Sequence, residues 1–124
     1  MKKLTLIVAT IALALSSINS AFATRASLWS PAEVKEIIFY SSDSQFSSRL
    51  GDWAGVVQVK FNGVSFRGIP ANACSTTDLV VNSDDKALIS ALLAAHATKT
   101  PINVEVFDDI KLGTFCYILA ITYK

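Results

Sequence analysis

Between residues 82 and 101 the hydrophobic period of this chain changes and then changes back, and that switch limits the folds open to it. Over residues 53–61, Val57, Val59 and Phe61 alternate with Gln58 and Lys60. Over residues 64–69, Val64 and Phe66 alternate with Ser65 and Arg67. A period of two marks a half-buried strand. From Lys86 onward the spacing is different. Leu88, Ala91, Leu92 and Ala95 recur at i, i+3, i+4 and i+7, and Ile89 and Leu93 widen the stripe. Residues 86–97 therefore read as a helix with one apolar face. Asn82-Ser83-Asp84-Asp85 provides capping side chains and acids at its start, and Thr98, Thr100 and Pro101 end it. Residues 102–107, INVEVF, return to alternation. One helix thus lies late in a chain of strands.

The other elements fill in that order. Residues 24–32 read as irregular, punctuated by Pro31, and residues 33–40, EVKEIIFY, as a strand. Residues 41–52, rich in Ser, Asp and Gly, read as a long exposed loop, a length often kept for function. Asn62-Gly63 between two alternating runs predicts a type I′ hairpin joining them, because both residues tolerate positive φ. Pro70 ends it. Residues 78–81 make a short strand, 108–113 a turn, and 114–123, TFCYILAITY, a last strand. Mainly β with one helix late among five or so strands is the element order of the oligonucleotide/oligosaccharide-binding (OB) fold, a partly open five-stranded barrel. The alternative is a small α+β sheet with one helix on its face.

The N-terminus sets the compartment. Lys2 and Lys3 precede an apolar run over residues 4–15, then a polar stretch, then Ala21-Phe22-Ala23, a small-x-small cleavage site. This is a secretory signal peptide, residues 1–23. Its apolar run is too short for a spanning helix, which needs roughly 20 residues. Removing 23 of 124 residues leaves 101, a single domain over residues 24–124. Secretion or release to the periplasm is expected, with no stable membrane insertion after cleavage. Without Lys2 and Lys3, the eleven basic residues become nine against ten acidic ones, net −1. A near-neutral domain has no electrostatic footprint for nucleic acid. Cys74 and Cys116 are the two cysteines. An even count in a small exported domain predicts a disulfide between them, with two buried free thiols as the alternative.

The chain offers little for catalysis. His96 is its one histidine, and its place in the last turn of the helix suits a polar residue at a helix C-terminus. No Ser lies in a nucleophile-elbow pattern, and no phosphate-cradling glycine loop appears. Asp84-Asp85 and Asp108-Asp109 are too few for a calcium loop, and no Cys-x-x-Cys spacing is present for zinc. No enzyme activity, metal or cofactor is expected. Binding is the better class. Trp29, Tyr40, Phe46 and Trp53 flank the long loop, and Tyr40, Ser41, Asp43 and Trp53 are the candidate ligand residues. Such a set suits a sugar stacked on an aromatic ring with hydroxyl and carboxylate partners. Packing of Tyr40 and Trp53 in the core or at its rim is the plainer reading.

Residues 73–78, ACSTTD, followed by the run KALISALLAAHATKTPINVEV, resemble small exported bacterial proteins related to the binding subunits of subtilase cytotoxin and typhoid toxin. The resemblance covers roughly residues 53–123. The order of hairpin, helix and strand is also similar to the binding subunit of heat-labile enterotoxin. The resemblance implies an OB barrel and, in the toxin members, a ring of five subunits that binds cell-surface glycans. Many relatives are free-standing exported proteins. No sugar-contacting position carries over residue by residue. The expected function is an exported binding module for a glycan, as a homo-pentamer. The alternative is a periplasmic or secreted module that contacts another exported protein.

Overall fold

The computed structural model describes residues 25–70 and 72–123; the signal peptide expected over residues 1–23 lies outside them. The elements run β1 (Arg25–Leu28), β2 (Val34–Phe39), α1 (Ser44–Leu50), a single 3-10 turn (Gly51–Trp53), β3 (Val56–Phe61), β4 (Phe66–Arg67), β5 (Asp78–Asn82), α2 (Lys86–Thr98), β6 (Ile102–Leu112) and β7 (Phe115–Tyr123). The strands form one seven-stranded mixed sheet in the order β2-β3-β5-β7-β6-β1-β4. Only β5 and β7 run parallel, meeting at Val80 and Tyr117. The class is mainly β, as the alternation predicts. The sheet has seven strands rather than five, and it does not close into a barrel.

Of these strands, β1 falls in a segment read as irregular, and β4 falls in a run read as a strand but takes a different partner. β1 pairs with β6, with Ala26 opposite Val106. β4 pairs with β1, with Leu28 opposite Phe66. The hairpin predicted at Asn62-Gly63 does not form. β3 has β2 on one edge and β5 on the other, so residues 64–69 find no free edge beside it. The backbone on each side of the turn bonds to the segment before β5 instead. Phe61 N–H donates to Thr77 O at 2.7 Å, and Val64 N–H donates to Thr76 O at 2.7 Å. Gly63 has φ +82°, but Asn62 does not share the positive φ a type I′ turn needs.

Two other readings change. The loop read over residues 41–52 contains α1 and the 3-10 turn. The turn read over 108–113 is mostly strand: β6 continues to Leu112, and the reversal falls at Gly113-Thr114. Between Val106 and Lys111 four residues of β6 oppose the single Tyr117 of β7, so this end of the hairpin is bulged. α2 begins and ends close to the predicted bounds. Asp85 caps it, accepting from Leu88 N–H, and Lys99 leaves it in the left-handed conformation with φ 52°.

One hydrophobic core lies on the inner face of the sheet. Val57, Val59 and Phe61 of β3, Leu79 and Val81 of β5, Ile102, Val104 and Val106 of β6 and Cys116 and Ile118 of β7 form it. Ile89, Leu92 and Ala95 of α2 close it. Cys74 and Cys116 are bonded, with Cα atoms 5.4 Å apart, within the range a disulfide requires. The bond fixes the segment before β5 to β7, and Ser75 N–H to Thr114 O at 2.9 Å adds to it. Ala32, just before β2, exchanges two backbone hydrogen bonds with Ile102 of β6 at 2.9 and 3.0 Å. That isolated bridge brings the start of β2 to β6 without extending into a ladder. Among the described residues no helix is long and apolar enough to cross a membrane.

Candidate functional site

Alternation along β3 and β5 sends Val56, Gln58 and Val80 to the face opposite the core. That outer face is not open to water. Val80 is 0% exposed and Gln58 only 7%. The segment between β2 and β3 crosses there and is stitched down at its ends. Tyr40 N–H donates to Val56 O at 3.0 Å, Gly55 N–H to Ser41 O at 3.2 Å, and Ser83 N–H to Gly55 O at 3.1 Å. Gly55 has φ +70°, and a Cβ there would lie 3.2 Å from that of Ser42, so the crossing needs glycine.

This crossing brings together two of the four residues singled out for ligand binding. Tyr40 and Trp53 meet with ring centroids 5.1 Å apart at 52°, and Trp53 meets Phe115 of β7 edge-on at 5.4 Å. Both separations fall in the favourable range for aromatic pairs. Tyr40 and Trp53 are each half-buried. Ser41 and Asp43 are placed differently. Asp43 N–H donates to Ser41 Oγ at 3.1 Å, and Gln45 N–H donates to Asp43 Oδ1 at 2.9 Å. They form the start of α1, which is the ordinary use of Ser and Asp before a helix. Both remain exposed at the edge of the crossing. The side chain of Phe46 lies outside the described residues. Trp29 belongs to another part of the surface. It is 65% exposed, Arg67 stacks on it with the guanidinium carbon 4.5 Å from the ring centroid, and Arg67 donates to its carbonyl at 2.7 Å.

The aromatic pair rests on a polar chain that strand alternation alone misplaces. Tyr40 O–H donates to Gln58 Oε1 at 2.8 Å, Gln58 Nε2 donates to Asp78 Oδ1 at 2.7 Å, and Thr77 O–H donates to Asp78 Oδ2 at 2.6 Å. Asp78 N–H donates in turn to Ser75 Oγ at 3.2 Å, next to the disulfide. A period of two sends Gln58 to solvent, but the crossing segment covers it. The signal that finds it is a lone amide inside V-V-Q-V beside a long aromatic-flanked segment. Gln58→Leu is expected to lower stability by about 1–3 kcal/mol in urea unfolding, since it leaves Tyr40 and Asp78 with unmet partners. Gln45→Leu on exposed α1 is the control and is expected to change stability by less than about 0.5 kcal/mol.

The site is a surface platform rather than a pocket. Two clefts of about 190 Å³ each lie elsewhere, one lined by Glu33, Lys35, His96 and Lys99 and one by Val64, Ser65, Phe66 and Thr76. Both are smaller than the roughly 300–1,000 Å³ of small-molecule sites. His96 Nδ1 lies 3.0 Å from Val34 O. A carbonyl only accepts, so the ring donates and pins α2 to β2. Among the described residues no three His, Cys, Asp or Glu side chains gather to hold a metal ion. Comparison with family models, with curated proteins and with solved structures found no match to this chain.

Proposed function

We propose that this protein is an exported binding module that recognises glycans on the platform formed by Tyr40 and Trp53, and that it performs no catalysis. The observation that carries this reading is the aromatic pair itself, 5.1 Å apart and half-buried on a hydrogen-bonded base. Sugars present apolar C–H faces and hydroxyl edges, and a fixed aromatic ring beside polar groups meets both. The strand order adds support for an OB-type fold. β2-β3-β5-β7-β6, with β5 and β7 parallel and α2 between β5 and β6, follows the order of that barrel, and the isolated Ala32–Ile102 bridge lies where such a barrel would close. The likeness to toxin binding subunits belongs to the same proposal, as does a homo-pentamer. Phe39 at the end of β2 and Leu93 on α2 are exposed apolar side chains on elements that pack together, and a second copy would cover them.

The exported protein is expected to begin at Thr24, to have a solution mass several times that of one chain, and to bind members of an array of neutral and sialylated glycans. No binding above background across the array would sink the glycan reading, and a monomer at micromolar concentration would sink the ring. A second reading, a module that contacts another exported protein, draws on Trp29 and Arg67. An exposed tryptophan with an arginine stacked on it is the kind of anchor that dominates protein interfaces. Capture of one partner from periplasmic extract, lost on Trp29→Ala, would favour it.

A further inference from the structure

We infer that the Tyr40 hydroxyl offers a ligand a hydrogen-bond acceptor and no donor, so that this site selects neutral, hydroxyl-bearing glycans over carboxylated ones. The inference rests on the glycan reading above and deepens it. The polarity of the chain beneath the platform is set from Asp78. A carboxylate accepts and does not donate, so the half of the Gln58 amide that faces Asp78 at 2.7 Å is the NH2 group. The amide oxygen then faces Tyr40 at 2.8 Å, and an amide oxygen also only accepts. Tyr40 has one hydroxyl proton, and Gln58 takes it. The far side of Asp78 obeys the same rule, because Thr77 O–H donates to its second oxygen at 2.6 Å. Gln58 is 7% exposed, so water does not compete for either end of its amide.

The consequence is chemical. What remains on the Tyr40 oxygen is lone-pair density. A sugar hydroxyl meets it by donating its proton. A carboxylate or sulfate brings only lone pairs and is repelled. The charged side chains between Tyr40 and Trp53 are Asp43, Arg49 and Asp52, a net charge of −1 that acts in the same sense. Asp43 and Asp52 are exposed and have no ion-pair partner among the described residues. Oδ1 of Asp43 is occupied by the cap of α1, which leaves its other oxygen to accept as well.

The test is an array of paired glycans, each neutral oligosaccharide beside its sialylated form, read with the wild-type exported protein and with Tyr40→Phe. The variant keeps the ring that packs on Trp53 and removes only the oxygen. The wild type is expected to bind neutral members at least about tenfold more tightly than their sialylated partners. Tyr40→Phe is expected to weaken neutral binding about two- to tenfold and to narrow the preference. A deoxyfluoro sugar, which keeps an acceptor and loses the donor, is expected to lose affinity on the wild type but not on Tyr40→Phe. Equal or tighter binding of the sialylated members would overturn the inference and leave glycan binding standing. Absence of binding to both classes would overturn the glycan reading and this inference with it.

Discussion

Removing the Cys74–Cys116 bond, by Cys74→Ala with Cys116→Ala, is expected to cost about 4 kcal/mol of folding stability. The two residues are 42 positions apart, and closing a loop of that length restricts the unfolded chain by about 4 kcal/mol in the chain-entropy model. A small domain has only about 5–15 kcal/mol in total. In the folded state the bond is not the sole tie on its segment. Ser75, Thr76 and Thr77 all take part in backbone hydrogen bonds, to Thr114, Val64 and Phe61 in turn. The double variant is therefore expected to reach the same fold, with the loss falling mainly on the balance with the unfolded state. In urea, at a slope of about 1–3 kcal/mol per molar, the midpoint is expected to fall by roughly 1.3–4 M. A loss below about 1 kcal/mol would show that the bond carries little of the stability of the domain.

The second large effect separates two adjacent leucines. Leu92 is 1% exposed and packs with Ile89 and Ala95 into the core, whereas Leu93, about 100° further round α2, is 42% exposed. Leu92→Ala is expected to cost about 3 kcal/mol, the middle of the range for a buried leucine whose cavity refills only in part. Leu93→Ala is expected to cost less than about 1 kcal/mol, because no cavity forms. The same variant has a second readout. If copies of the chain cover Leu93, Leu93→Ala lowers the mass in solution while the fold holds. Equal losses of stability for the two variants would mean that the buried face of α2 is wider than the structure shows.

Both expectations depend on features the sequence made readable to different degrees. α2 announces itself through its period and through the cap at Asp85, β3 and β6 through alternation, and β2, β5 and β7 through β-branched and aromatic runs. The disulfide follows from counting cysteines in a small domain expected to be exported. The misreadings share one physical cause. The Asn62-Gly63 cue is local, whereas the pairing of β3 with β2 on one edge and β5 on the other is set by tertiary contacts that no local cue encodes. β1 has only four residues, too few to show a period, and finds its partner about 80 positions away in β6, while β4 lies in a run that does alternate but pairs with β1 rather than β3. Ser and Asp over 41–52 read as loop, yet Asp43 is there to start α1. At the site, Tyr40 and Trp53 stand out as aromatics beside a polar stretch. Gln58 does not, because alternation assigns it to water and only the crossing segment removes it from there, and half-buried Asp78 joins the site only through its bond to Gln58.

The claim that joins these observations is that glycans bind at Tyr40 and Trp53. The most direct test is a titration of the isotopically labelled exported protein with the best-binding array glycan, following the two indole N–H resonances by NMR. The Trp53 signal is expected to shift in proportion to occupancy while that of Trp29 stays in place, and Tyr40→Phe is expected to weaken the titration. A glycan that binds but moves Trp29 and leaves Trp53 unmoved would contradict it, placing recognition on the Trp29–Arg67 surface instead.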